Sequence, residues 1–143
     1  MAARLTERQV DELLAEDKVI TANILWRREG KRRFKIDATV MATRSNTIMR
    51  LYGTIGLTKR SFALLLNSID IRRICLSDIS KHKNKDGTVM RGIHKHAFEE
   101  ETLESGDAYI PTDITGKDVN TQFADFLREC KITLQGDYQP WLL

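Results

Sequence analysis

Residues 34–40 read Phe34-Lys35-Ile36-Asp37-Ala38-Thr39-Val40, and apolar and polar side chains alternate strictly along them. Successive side chains of a β-strand point to opposite faces of the sheet, so this stretch predicts a strand that is buried on one face. Further strand-like segments lie on both sides of it, at 19–26, 48–55, 71–79, 88–98 and 108–111. Strands are therefore expected to dominate the middle of the chain.

Four shorter segments have patterns of their own. The run Phe62-Ala63-Leu64-Leu65-Leu66 is apolar throughout and shows no period, so it fits either a strand or a helix. Gly53-Thr54-Ile55-Gly56 lacks the spacing of a phosphate-binding loop and predicts a bend or a bulge. The acidic segment 99–106 is predicted to be a loop. Asn84-Lys85-Asp86-Gly87 predicts a tight turn, because Asp-Gly pairs favour positive φ.

Helices are predicted on both sides of the strand-rich region. Thr6-Glu7-Arg8-Gln9 has the form of a capping box and begins a helix over 6–17. The segment 118–130 carries its apolar residues on one side and predicts an amphipathic helix. We therefore expect an α+β fold, with a curled antiparallel sheet of about five to seven strands flanked by an N-terminal and a C-terminal helix. No linker divides the chain, so residues 1–143 are expected to form a single domain.

The composition is that of an ordinary globular protein, with 41% hydrophobic and 30% charged residues. No apolar run approaches the roughly 20 residues that span a bilayer, and the N-terminus has no apolar core of a signal peptide. We expect a cytoplasmic protein without membrane contact. Cys75 and Cys130 each lie among apolar residues and predict buried free thiols, and the absence of a C-x-x-C pair argues against a zinc ribbon.

All three histidines fall within the segment from Asp78 to Phe98. On a strand over 88–98, His94 and His96 share one face, while Arg91 and Lys95 lie on the other. His82 lies across the predicted turn, near the same end of the sheet. This segment is therefore the predicted position of any chemical site.

Paired imidazoles predict acid–base chemistry, because an ordinary histidine pKa lets one ring be charged while the other is neutral. His94 and His96 would then act as catalytic residues on a phosphodiester, with His82 as a third imidazole. The basic side chains that would contact phosphate are Lys83, Lys95, Arg91, Arg72 and Arg73. This chemistry needs neither a metal nor a cofactor.

Two other interpretations of the histidines stay open. A His-x-His pair on a strand places two nitrogens where they can bind a metal, with His82, Asp86 or Asp107 as a third ligand. Alternatively, the histidines are structural, with His94 hydrogen-bonded in the core and His96 at its rim.

Several motifs carry a resemblance that covers about residues 70–140. They are His82-Lys83-Asn84-Lys85-Asp86-Gly87, His94-Lys95-His96, Asp107-Ala108-Tyr109-Ile110-Pro111 and Phe126-Leu127-Arg128-Glu129-Cys130-Lys131-Ile132. With these motifs the chain resembles an uncharacterised bacterial and phage-associated family of short proteins that has an H-x-N-x-D-G…H-x-H signature. That family is distantly similar to TumE-type toxins of toxin–antitoxin pairs, which implies a small α+β domain with a histidine-rich hairpin.

The leading functional hypothesis is a nucleic-acid-directed protein, such as a metal-independent ribonuclease-like toxin or defence-associated domain acting on RNA. The alternative is a non-catalytic phage or mobile-element protein that binds and inhibits a host complex. In this case the apolar C-terminal tail, with Trp141, Leu142 and Leu143, would contact the protein partner. A metal-dependent hydrolase is the third possibility.

Overall fold

The computed structural model describes residues 5–57, 59–76, 81–99, 104–111, 114 and 118–141. Two helices lie in these ranges, α1 (Glu7–Ala15) and α2 (Val119–Glu129). The strands are β1 (Lys18–Ile20), β2 (Ile24–Leu25), β3 (Arg27–Arg28), β4 (Phe34–Ala42), β5 (Ile48–Ile55), β6 (Arg60–Leu66), β7 (Ile69–Cys75), β8 (Lys81–Lys83), β9 (Val89–Arg91), β10 (His94–Glu99), β11 (Glu104–Tyr109), β12 (Ile132–Leu134) and β13 (Tyr138–Gln139). Neither helix is long and apolar enough to cross a membrane.

One sheet dominates the described part of the chain. Its strands follow the order β11-β10-β7-β6-β5-β4-β1-β12, and β3 also pairs with β4. Every pairing is antiparallel except that of β1 with β12. Two small sheets, β13–β2 and the β8–β9 hairpin, complete the fold. The predicted α+β class with a mostly antiparallel sheet is confirmed.

The sheet is larger than predicted, with nine strands in place of five to seven, and it is open. Strand β11 overlaps the strand predicted over 108–111 but begins earlier, so that it includes residues 104–106 of the segment that was expected to be an acidic loop. It forms because residues 104–109 pair along β10, so backbone hydrogen bonding outweighs the polar composition of this segment. The added strands are β3, which pairs with β4, and β12, which extends the sheet beyond β1 after α2 has ended.

Other strand boundaries also differ from the sequence pattern. Residues 62–66 form part of strand β6, which resolves the ambiguity of this apolar run. The strand predicted over 88–98 is broken into β9 and β10 by Gly92, whose φ of +78° is open to glycine but strained for other residues. The strand predicted over 19–26 is likewise divided between β1 and β2.

The core lies between one face of the sheet and the two helices. Phe62 on β6 packs against Phe123 and Phe126 of α2, with ring centroids 5.2 and 5.8 Å apart. Gly53 lies beneath Phe62, and a Cβ there would be 2.8 Å from that ring and from Ile36. The register of β4, β5 and β6 runs through Gly53 without interruption, so the predicted bend or bulge is wrong for residues 53–55, while at Gly56 the chain turns towards β6. The glycine provides the space that the phenylalanine ring occupies.

A fully buried lysine joins the helix ends to the sheet. Lys18 begins β1, and its Nζ donates to the carbonyl oxygens of Leu14 and Glu16 at 3.1 and 2.7 Å and of Cys130 at 2.7 Å. These carbonyls lie at the C-terminal ends of α1 and α2, where the helix dipoles favour a cation. Burial lowers the pKa of Lys18, but its three donors have three acceptors.

The C-terminal segment docks on the domain. Asn120 on α2 donates through Nδ2 to the Trp141 carbonyl and accepts from the Trp141 backbone N–H, at 3.0 and 2.9 Å. The Trp141 ring also meets Phe34 edge-on at 6.0 Å. Docking of the tail is thus confirmed as far as Trp141, while Leu142 and Leu143 lie outside the described residues.

Replacing Gly53 with alanine should destabilise the fold, because the added methyl would overlap the Phe62 ring and Ile36 inside a packed core. Overpacking of this kind lowers the free energy of unfolding by about 1–3 kcal/mol. Chemical denaturation of Gly53→Ala measures the loss. Gly56→Ala is the matched control, because its Cβ would meet only the Lys59 carbonyl at 3.4 Å. Equal stability of the two variants would contradict the packing described for Phe62.

Candidate functional site

The pairing of β10 with β7 decides which side chains meet. His94 lies opposite Cys75, and His96 lies opposite Arg73, so these four residues share the face of the sheet that points away from the helices. Lys95 pairs with the buried Ile74 and points to the helix side. The prediction that His94 and His96 share one face, opposite to Lys95, is confirmed.

A buried ion pair holds Lys95 on the helix side. Its Nζ lies 3.0 Å from Oε1 of Glu129 at the end of α2, and the two side chains are 6% and 8% exposed. Arg72 reaches the same oxygen through Nε at 3.1 Å. Both cations, which were predicted to contact phosphate, are thus held by Glu129 on the face opposite to the histidines.

On that opposite face, Cys75, His94 and His96 form a compact cluster. One potential ligand atom from each residue lies within 4.8 Å of the other two. The Cys75 Sγ is 3.7 Å from Nε2 of His96, and the two imidazole rings meet edge-on with centroids 4.8 Å apart. Nδ1 of His94 lies 2.8 Å from the Gly92 carbonyl, to which it donates. His94 and His96 are only 2% and 6% exposed.

The two cysteines occupy different environments. Cys130 is buried as predicted, donates to Oε2 of Glu129 at 3.2 Å, and has its thiol pKa raised well above the usual value by burial. Cys75 is only half-buried, which corrects the prediction for that residue. Burial also raises the pKa of the Cys75 thiol, although the positive charges of Arg73 and Lys59 act in the opposite direction. Cys75 is therefore the more accessible thiol.

Cys75 lies in the wall of a pocket of about 300 Å³, which we call the cationic pocket. Its described lining is Arg33, Thr54, Gly56, Lys59, Arg60, Ser61, Arg73 and Cys75. None of these lining residues is acidic, and the nearby Asp70 carboxylate is 4.0 Å from Arg73. The pocket therefore combines four positive side chains with two hydroxyl groups.

Strand register connects the cationic pocket to the histidines. Thr54, Ser61, Cys75 and His94 are successive cross-strand partners on β5, β6, β7 and β10. The hydroxyls of Thr54 and Ser61 are 3.0 Å apart. A row of polar side chains thus crosses the sheet from the pocket to the buried imidazoles.

The structure separates the remaining predicted site residues from this cluster or does not describe them. His82 lies on β8 opposite Met90, and Arg91 lies on β9, but neither side chain is among those described. Lys83 is exposed on the same hairpin, and Asp86 accepts from the Thr88 N–H within its turn. Asp78 and the Asp107 side chain also lie outside the described part.

Sequence reasoning missed four residues of this region: Cys75 as a partner of the histidines, and Arg33, Lys59 and Arg60 in the cationic pocket. Cys75 alternates with Arg73 along β7, which places both on one face, but nothing local shows that this strand pairs with β10. Arg33 belongs to a basic run over residues 27–35, and a run of this kind is most often a solvated turn, so composition alone does not single it out.

The chain belongs to the family DUF6978, a family of unknown function, whose model matches residues 5–132. This confirms the expectation of an uncharacterised family, and the match includes the cluster and the cationic pocket. Neither a curated protein nor a solved structure matches the chain.

Replacing Glu129 with glutamine should destabilise the protein by about 3 kcal/mol, because it removes the buried carboxylate charge that faces Lys95 and Arg72. Glutamine keeps the size of the side chain, so the loss of stability measures the effect of removing the negative charge. The control is Glu12→Gln, which breaks the exposed i,i+4 pair with Arg8 and should change stability by less than about 1 kcal/mol. Denaturant midpoints at neutral pH measure both, and a loss for Glu129→Gln no larger than the control would refute the anchoring role.

Proposed function

We propose that this DUF6978 protein is a nucleic-acid-directed protein that binds a phosphodiester backbone, most concretely that of RNA, in the cationic pocket. The observation that carries the proposal is the lining of that pocket by Arg33, Lys59, Arg60 and Arg73 beside the Cys75–His94–His96 cluster. Clustered cations recognise phosphate through charge and through hydrogen bonds from their N–H groups.

The arrangement of the pocket suits an extended polyanion. Lys59 and Arg73 are exposed, and Arg33 is exposed on the approach to β4, so their charges reach solvent. The hydroxyls of Thr54 and Ser61 add hydrogen-bonding groups at the wall of the pocket. Binding in such a site is dominated by electrostatics and does not depend on base sequence.

The adjacent cluster supports a ribonuclease-like activity. Cys75 lines the pocket and lies beside His96, so a phosphate held by Arg73 would be placed next to the Cys75–His94–His96 cluster. RNA carries its own nucleophile in the 2′-hydroxyl, and cleavage then requires positioning, charge stabilisation and proton transfer. The resemblance to TumE-type toxins suits a nucleic-acid target, and a toxin or defence role is part of this proposal.

The alternative of a host-complex inhibitor relied on an apolar tail that is available for a partner. In the structure Trp141 is partly buried, because Asn120 holds its backbone and its ring meets Phe34. The tail therefore gives this alternative less support than the cationic pocket gives to RNA binding.

The proposal is tested by the binding of a fluorescent single-stranded RNA to the full chain at several salt concentrations. The double variant Lys59→Ala/Arg73→Ala should weaken binding uniformly across RNA sequences and lower the slope of log K against log salt by about two, roughly one per lost phosphate contact. Both side chains are exposed, so the fold should tolerate their removal.

Arg8→Ala serves as the charge control, because Arg8 is exposed on α1 and does not line the cationic pocket. It should leave the salt slope unchanged. Equal RNA affinity of the wild type and the double variant, or an equal loss in the control, would refute the proposal.

A further inference from the structure

We infer that Cys75, His94 and His96 form a zinc site, with a fourth coordination position directed towards the cationic pocket. The site itself stands on the geometry of these three residues. Only the use of the metal in phosphodiester chemistry rests on the proposed function.

The distance between the donor atoms fits a shared metal. Zinc binds thiolate sulfur at about 2.3 Å and imidazole nitrogen at about 2.0–2.1 Å, so two such ligands in a tetrahedral site lie about 3.5 Å apart. The Sγ of Cys75 and Nε2 of His96 are 3.7 Å apart. All three donors lie within 4.8 Å of one another, so small side-chain rotations complete the set.

The orientation of His94 also fits a metal ligand. Its Nδ1 donates to the Gly92 carbonyl at 2.8 Å, which leaves Nε2 as the nitrogen that carries the lone pair. Histidine ligands of metals commonly donate their second N–H to a carbonyl or carboxylate in this way. Gly92 adopts a φ of +78° at the break between β9 and β10, and this turn sets the position of its carbonyl.

The three residues differ in their access to solvent. Both imidazoles are almost completely buried, and Cys75 is half-buried in the wall of the cationic pocket. Burial raises the pKa of the Cys75 thiol and the positive charges of Arg73 and Lys59 oppose this shift only in part, so the metal itself must displace the thiol proton. When zinc binds, the proton of the Cys75 thiol goes to solvent and the metal ion takes its place on the sulfur.

Zinc is the metal that this donor set suits best. One thiolate and two imidazoles match its preference for sulfur and nitrogen in a tetrahedral site. Three protein ligands leave a fourth position, as in catalytic zinc sites, whereas structural sites have four. Cys75 is the ligand that lines the cationic pocket, so a water or a phosphate oxygen would reach the fourth position from that side.

Cobalt(II) substitution of the purified full chain tests the site. The wild type should bind one equivalent and show a thiolate-to-cobalt charge-transfer band together with the visible bands of a four-coordinate ion. Cys75→Ser should lose the charge-transfer band and bind zinc more than about 100-fold more weakly, beyond the loss typical of outer-sphere changes.

Cys130→Ala is the matched control, because it removes the only other cysteine while Cys130 contacts Glu129 and Lys18 rather than the histidines. The control should keep the band. A band that survives in Cys75→Ser, a band lost only in Cys130→Ala, or no metal binding by the wild type would overturn the site. Purification with stoichiometric copper and an intense blue colour would overturn the assignment to zinc.

A second measurement uses the wild type alone, in case a variant fails to fold. Cys75 is half-buried and Cys130 fully buried, so a thiol reagent applied to the native protein reports mainly Cys75. One equivalent of zinc should slow this reaction at least tenfold, and an unchanged rate would contradict ligation by Cys75. Neither experiment uses RNA, so loss of the metal site and loss of RNA binding are distinguished.

Discussion

The ion pair between Lys95 and Glu129 is the interaction on which the candidate site depends. It fixes one residue of β10 on the helix side of the sheet, and strand geometry then sends both of its neighbours to the other side. A register slip of one residue would turn the histidines towards α2 and Lys95 towards the opposite face. The pair gains its strength from burial, because little solvent screens the two charges.

The remainder of the fold separates a packed face from a polar one. The helix side holds the aromatic cluster around Phe62 and the buried ammonium of Lys18, whose three carbonyl partners tie both helix ends to β1. The opposite side carries the cationic pocket and the Cys75–His94–His96 cluster, which share Cys75. The residues that stabilise the fold and those of the candidate site therefore lie on opposite faces of one sheet. Substitutions on the polar face are expected to leave the core intact.

Local patterns predicted much of this architecture, and the failures have a common cause. The capping box at Thr6 and the period-two alternation around His94 depend on neighbours in sequence, and both appear in the structure. The meeting of Cys75 with the histidines depends on the pairing of β7 with β10, which no local pattern records. The early start of strand β11 was missed for the same reason, since residues 104–106 have a loop-like composition and pair with the adjacent strand. The cationic pocket likewise gathers residues from β5, β6, β7 and the segment before β4.

The central claim is that Cys75, His94 and His96 act as one centre at the edge of the cationic pocket. X-ray absorption at the zinc edge of the zinc-loaded protein tests it most directly. We predict one sulfur at about 2.3 Å and a shell of nitrogen or oxygen at about 2.0–2.1 Å that includes two imidazoles. A first shell without sulfur, or one with two or more sulfurs, would contradict the account.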